Sequence, residues 1–162
     1  MTPDLPKIKK KKLPKIIIGW EEWCTLPDLH LPAIKAKIDT GAKTSALHAY
    51  DIETYINFNV PFVRFKIHPI QANKSLFKIC EAPLIEKRII TSSNGEREVR
   101  PVILTALTFG PTTINAELTL TSRHKMNFRM LLGREALRKA RFVVEPSRSF
   151  VLGKIKKAER LY

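Results

Sequence analysis

Apolar and polar residues alternate in short runs along most of this chain, the period of half-buried β-strands. Ile34, Ala36 and Ile38 alternate with Lys35 and Lys37. Val63, Phe65 and Ile67 alternate with Arg64, Lys66 and His68, and Ile114, Ala116, Leu118 and Leu120 alternate with polar partners. Residues 16–26 read as a strand, with Gly19 a candidate bulge and Trp20 and Trp23 as packing side chains. Pro27-Asp28 turns the chain, and 33–38, 44–50 and 63–68 are the next strands, with 71–78 a surface excursion. Residues 84–91 and 98–107 are expected to pair as a long hairpin around Ser92-Ser93-Asn94-Gly95-Glu96, because Asn-Gly tolerates the positive φ of a tight turn. After Gly133 the period changes. Residues 135–140 are good helix formers with an acid early and bases late, as the helix dipole favours. Residues 142–144 and 150–152 are expected as final strands. Many short strands and one short helix, with no solenoid repeat, fit a small closed or nearly closed barrel.

Composition sets bounds on this picture. The 162 residues, 44% of them hydrophobic, suffice for one domain with a core of its own. Cys24 and Cys80 give no disulfide framework and are expected as buried thiols. No apolar run reaches the roughly 18 residues of a membrane span. Only Ile16-Ile17-Ile18 follows the N-terminal lysines, short of a signal-peptide core, so the expectation is a cytoplasmic protein with no membrane partner. The formal net charge is +14. Much of it lies in Lys7-Ile8-Lys9-Lys10-Lys11-Lys12 and in Lys154-Ile155-Lys156-Lys157. The expected organisation is a disordered Lys-rich arm at 1–15, a domain at 16–152 and a basic tail at 153–162. Blocks of like charge are ordinarily solvated, but they also attract polyanions. A nucleic-acid partner for the basic tails ranks low, since the aromatic-plus-basic alternation of single-strand binders is missing.

The chemistry concentrates in Ala36-Lys37-Ile38-Asp39-Thr40-Gly41-Ala42-Lys43-Thr44-Ser45-Ala46-Leu47. An apolar strand ends on an acid, turns through Thr-Gly and leaves into a second strand. That places the Asp39 carboxylate at the tip of a tight loop. Gly41 turns where a Cβ would clash, and the Thr40 hydroxyl can bond backbone or a symmetry mate. Far downstream lies Met130-Leu131-Leu132-Gly133-Arg134. The pair resembles the retropepsin-like aspartic proteases, in which a D-T-G-A loop and a later apolar-apolar-Gly-Arg segment frame the active site. Trp20-Glu21-Glu22-Trp23, the block 32–49, Thr91-Ser92-Ser93-Asn94-Gly95 and 131–137 look more narrowly like one bacterial family. It is named for ATP-dependent zinc proteases and is associated with an ATP-grasp glutamate ligase.

The resemblance implies a mainly β, retropepsin-like (acid protease) small closed barrel with a flap hairpin and one short C-terminal helix. It assigns catalysis to Asp39, the active-site loop to Thr40, Gly41 and Ala42, and the second motif to Leu132, Gly133 and Arg134. Ser92, Ser93, Asn94 and Gly95 would form the substrate-binding flap. The implied activity is that of an aspartic endopeptidase, in which two carboxylates share a proton and activate a water. Asp39 alone has the Thr-Gly context; Asp4, Asp28 and Asp51 lack it. The second carboxylate must then come from a twofold-related chain, so a homodimer is expected.

The zinc and ATP of the family name find no support in these residues. A zinc protease of the usual kind needs two histidines at helical spacing with a glutamate base. His30, His48, His68 and His124 stand far apart, and no Gly-x-x-x-x-Gly-Lys phosphate loop occurs. No metal site and no cofactor are expected; His48 reads as a strand histidine that could also reach the cleft. In retroviral enzymes the residue after D-T-G-A is acidic and pairs with the Arg of the second motif. Here it is Lys43, so Arg134 needs another partner: Glu135, a backbone carbonyl or a substrate carboxylate. The expected partner is a peptide or protein substrate; the association with a glutamate ligase that the resemblance implies, together with the basic charge, favours a Glu-rich one. Lys35, Lys37, Lys43, Arg97 and Arg100 are candidate cations along the approach to Asp39. Three rivals remain: a catalytically silent module for acidic tails or ribosomal partners, a nucleic-acid-binding barrel, and a zinc site gathered only in the fold.

Overall fold

The computed structural model describes residues 2–4, 6–9, 13–71, 73–122 and 127–162. Lys10, Lys11 and Lys12 of the expected arm, Ala72 of the surface excursion and His124 lie outside the described residues. The elements run β1 (Ile16–Ile18), β2 (Glu21–Leu26), β3 (Leu31–Ile38), β4 (Ser45–His48), β5 (Tyr50–Asn57), β6 (Val60–Ile67) and β7 (Lys78–Pro83). They continue with β8 (Glu86–Thr91), β9 (Arg97–Phe109), β10 (Thr112–Thr121), β11 (Met130–Leu132), α1 (Arg134–Ala140) and β12 (Phe142–Val144).

The barrel follows from the alternation. Strands pair in the order β10-β4-β11-β3-β2-β9, and β9 returns to β10, which closes the ring. Closure removes the exposed sheet edges that invite mispairing. Inward-facing Leu26, Leu31, Ile34, Leu47, Ile103, Leu107, Phe109 and Leu118 are fully buried and fill it. Burying each such side chain stabilises the fold by about 1.5–3 kcal/mol. The fold is therefore the expected mainly β closed barrel with one short helix. β8 extends outward from β9 as the first arm of the long hairpin. Cys24 and Cys80 are buried free thiols, as expected. Among the described residues no helix is long and apolar enough to cross a membrane.

Three local expectations are corrected. The strand expected at 16–26 is two strands, because another segment lies against Gly19. A Cβ there would sit 2.4 Å from the Arg148 carbonyl oxygen, and the Trp20 N–H donates to that same oxygen at 2.9 Å. The strand expected at 150–152 is a turn. Phe150 takes a left-handed φ of 52°, and the N–H groups of Val151 and Leu152 donate to the buried Glu22 carboxylate at 2.9 and 2.7 Å. Two strands beyond the expectation, β5 and β7, flank β6 in a separate three-stranded sheet. The β5–β6 hairpin turns at Phe58 and Asn59, both at positive φ, without the glycine that would have flagged it.

The segment 153–162 carries a short 3-10 turn, Ala158–Leu161. Beyond it the Tyr162 hydroxyl donates to the Ala33 carbonyl and accepts from the Ala33 N–H. β1 and β12 form a parallel two-stranded sheet of their own, with Ile17 beside Val143, both exposed.

Candidate active site

Strand order explains how the two motifs meet. β3 ends at Ile38 and delivers Asp39, and the chain re-enters the barrel at β4. β11 lies between them, parallel to β3 with Leu132 beside Ile38, and antiparallel to β4. The acid loop therefore bridges over the end of β11, and the residues after β11 must pass beneath it. The Asp39 N–H donates to the Leu132 carbonyl at 2.9 Å, and the Arg134 N–H donates to the Ala42 carbonyl at 2.8 Å. The passage is tight at Gly133: an added Cβ would lie 2.8 Å from the Thr44 carbonyl carbon and 3.0 Å from the Ala42 oxygen. Only glycine fits there, for reasons of space.

The carboxylate itself is held on one side. The Gly41 N–H donates to Asp39 Oδ1 at 3.0 Å, and the Ala42 N–H donates to the Asp39 carbonyl at 3.3 Å. Asp39 is half-buried, while Thr40 and Gly41 are exposed. One oxygen is thus fixed by backbone, and Oδ2 makes no hydrogen bond among the described residues. That arrangement presents an oriented carboxylate to a water or a carbonyl.

Arg134 finds its partner in the backbone: Nη1 donates to the Thr40 carbonyl at 2.9 Å. Lys43 turns instead to Glu135, 3.8 Å away, in a solvent-exposed pair worth little to stability. The sequence places Lys43 and Arg134 in conflict; the fold separates them by giving each its own acceptor.

Ser45 is the residue that sequence reasoning passed over. Its buried hydroxyl accepts from the Gly133 N–H at 2.9 Å, and its carbonyl accepts from Thr119 Oγ1 at 3.3 Å. Arg100 Nη1 reaches the same Thr119 hydroxyl at 3.4 Å, and Arg100 Nε donates to Glu98 at 2.8 Å. Thr121 donates to the Glu98 carboxylate as well. A polar chain therefore runs from the second motif, through β4 and β10, to the base of the β8–β9 hairpin. The signal was a hydroxyl beside Ala46 and Leu47 at the start of a strand, which must find a partner when buried. Arg100, expected along the approach to Asp39, is 6% exposed and committed to Glu98, and so does not line it.

The hairpin that carries Ser92, Ser93, Asn94 and Gly95 is present. The Ser92 N–H donates to the Glu96 carbonyl at 2.8 Å, the Gly95 N–H donates to the Ser92 carbonyl at 2.9 Å, and Gly95 has φ 85°. Ser92 and Asn94 side chains bond each other. Among the described residues no hydrogen bond ties this tip to the acid loop.

The three described histidines are dispersed. His48 is buried at the end of β4, His30 occupies a left-handed turn, and His68 stacks on Tyr50 at 4.7 Å. Among the described residues no three His, Cys, Asp or Glu side chains gather to hold a metal. The described residues offer no donor set that fits the zinc of the family name.

A family model and a solved structure both match this chain over most of its length. A family profile described as RimB-like, retropepsin-like aspartic endopeptidase RimB, matches residues 17–155. A probable alpha-L-glutamate ligase of Shewanella pealeana is 48% identical over 139 residues, 86% of this chain and 30% of that protein. One of Desulfotalea psychrophila is 45% identical over 143 residues, 88% of this chain and 31% of that protein. The chain thus spans about a third of the length of the curated relatives it matches. A crystal structure of a Legionella pneumophila protein of unknown function superposes with a TM-score of 0.71 at 29% identity. The match covers 84% of this chain and 97% of that one.

Proposed function

Since this chain belongs to the RimB-like family of retropepsin-like aspartic endopeptidases, we propose that it hydrolyses peptide amides with a water activated between two Asp39 carboxylates, one from each chain of a homodimer. The observation that carries this reading is the acid loop: one carboxylate, oriented by the Gly41 N–H and braced from beneath by Gly133 and Arg134. Two carboxylates a few ångströms apart share one proton, because like charges at that distance resist double ionisation. The ionised member takes a proton from water, which attacks the scissile carbonyl carbon. The protonated member gives its proton to the carbonyl oxygen; as the tetrahedral intermediate collapses, the first carboxylate passes the proton it took from water to the leaving nitrogen, and a hydroxyl of the intermediate returns a proton to the second, so amine and carboxylic acid leave and the dyad again holds one proton.

A homodimer follows from the single Asp-Thr-Gly. The β8–β9 hairpin is the flap that closes over the peptide. The substrate class is acidic peptide. Its support is the net charge of +14 and the relatives that are named probable alpha-L-glutamate ligases. In this reading the chain cuts what a glutamate ligase makes, and it works alongside such a ligase in the cytoplasm.

Cleavage of a glutamate-rich peptide, followed by mass spectrometry, tests the reading. Asp39→Asn keeps the shape of the loop and should lower the rate about a hundredfold or more. A chelator should leave the wild-type rate unchanged. Activity that survives Asp39→Asn but disappears with the chelator would favour the zinc reading instead.

A further inference from the structure

A second feature of the acid-loop region has no role in the chemistry above. A groove of about 460 Å³ lies between α1 and β12 and reaches Thr40, the residue next to Asp39. Its floor is apolar, formed by Leu137, Phe142, Val143 and Val144. Its rim carries Lys15, Arg134, Arg138 and Arg141, and no acidic residue lines it. Among the described residues none of these four cations forms an ion pair. Arg134 spends one arm on the Thr40 carbonyl. Arg141 Nε is buried and has no hydrogen-bond partner among the described residues. A buried guanidinium nitrogen without an acceptor is costly, and it marks a place where an acceptor belongs.

We propose that this groove binds the carboxylates of an acidic peptide and so supplies the preference for acidic chains; the inference rests on the reading of the substrate given above. Planar guanidinium groups match carboxylates in a two-pronged geometry, and three of them lie along one groove. The apolar floor suits the methylene groups of glutamate side chains, whose charged ends reach the rim. A single-stranded nucleic acid would need rings on which bases stack. Phe142, the aromatic residue of the groove, is 9% exposed and meets Phe109 edge-on, so it offers no such platform. The hairpin base offers no equivalent site, since Arg100 is held by Glu98. The groove gathers four cations, unpaired among the described residues, around one apolar floor that reaches the residue next to Asp39.

Binding is measured separately from cleavage, by titrating a fluorescent poly-glutamate peptide into the full chain carrying Asp39→Asn. A failure of the catalytic reading then leaves this test intact. Arg138→Glu with Arg141→Gln should weaken binding roughly tenfold, with the folded state checked by circular dichroism. Because Arg141 caps α1, Arg138→Glu alone is measured too, and should weaken binding roughly threefold. Arg97→Ala at the hairpin tip, and Lys7→Ala with Lys9→Ala in the arm, should each change affinity by less than about twofold. Added salt should weaken the wild type more than the double variant. Equal weakening by the tip or arm variants would overturn the proposal. So would a single-stranded oligonucleotide that binds more tightly than the peptide through the same residues. Sedimentation that shows a lost dimer with unchanged peptide affinity would make the groove a contact between copies, and would also overturn it.

Discussion

At the scale of single residues, the acid loop depends on groups that have no part in the chemistry. Gly133 leaves room for the Ala42 and Thr44 backbone, and Ser45 gives the Gly133 N–H its acceptor. Replacing Ser45 with Ala would strand that buried N–H, which costs about 1–3 kcal/mol. Calorimetry on Ser45→Ala should therefore show a lower Tm. The peptidase rate should fall as well, because the second motif no longer seats under Asp39; an unchanged Tm would mean the hydroxyl bears no load. The sequence showed Asp39, Gly133 and Arg134 plainly, because Asp-Thr-Gly and Gly-Arg are rare together. It hid the acceptors. Whether Arg134 would meet Glu135, a carbonyl or a substrate depended on side-chain directions, and the fold gave it the Thr40 carbonyl.

At the scale of elements, alternation was a good guide wherever one face of a strand is buried. β3, β6 and β10 all lie where their apolar periods place them. Alternation failed where pairing depends on distant chain. Residues 150–152 have a strand-like composition, yet their N–H groups go to Glu22 rather than to a neighbouring strand. Glu22 itself was legible only as an acid between two tryptophans, although its register with Cys24 and Leu26 places it inward. The β8–β9 hairpin gives the sharpest prediction at this scale. Gly95 sits at φ 85° with nothing within 4 Å of an added Cβ, so a side chain there meets backbone strain and no clash. Gly95→Val should cost about 1–2 kcal/mol of local strain. If the hairpin is a flap, kcat/KM on a peptide should fall much further than that stability loss explains. Parallel falls in Tm and kcat/KM would mark the hairpin as scaffold.

At the scale of the whole molecule, the chain is a closed barrel with its C-terminal residue folded back against it. Tyr162 is one such fastening, and it carries a pH dependence. Burial is the main cause that pushes its phenol up to about 12, partly opposed by the hydrogen bond to the Ala33 backbone. The folded state thus favours the neutral phenol. The stability it contributes is fully present below the ordinary value of 10.0 and is lost as pH rises through about 12. Tyr55 is raised as well, chiefly by desolvation and then by its hydrogen bond with Glu81, so Tyr162→Phe should take one tyrosine out of the late ultraviolet titration and flatten the alkaline loss of stability. An alkaline stability profile left unchanged in Tyr162→Phe would assign the loss elsewhere.

The whole-molecule claim that matters most is that the active site is shared between two chains. Wild type and Asp39→Asn, mixed at constant total protein and allowed to exchange subunits, test it directly through the rate of peptide cleavage. If each site needs two Asp39 carboxylates, only wild-type pairs cut, and the rate falls as the square of the wild-type fraction. An equal mixture should then retain roughly one quarter of the wild-type rate. A rate of roughly one half, linear in the wild-type fraction, would mean that each chain acts alone and would contradict the shared dyad.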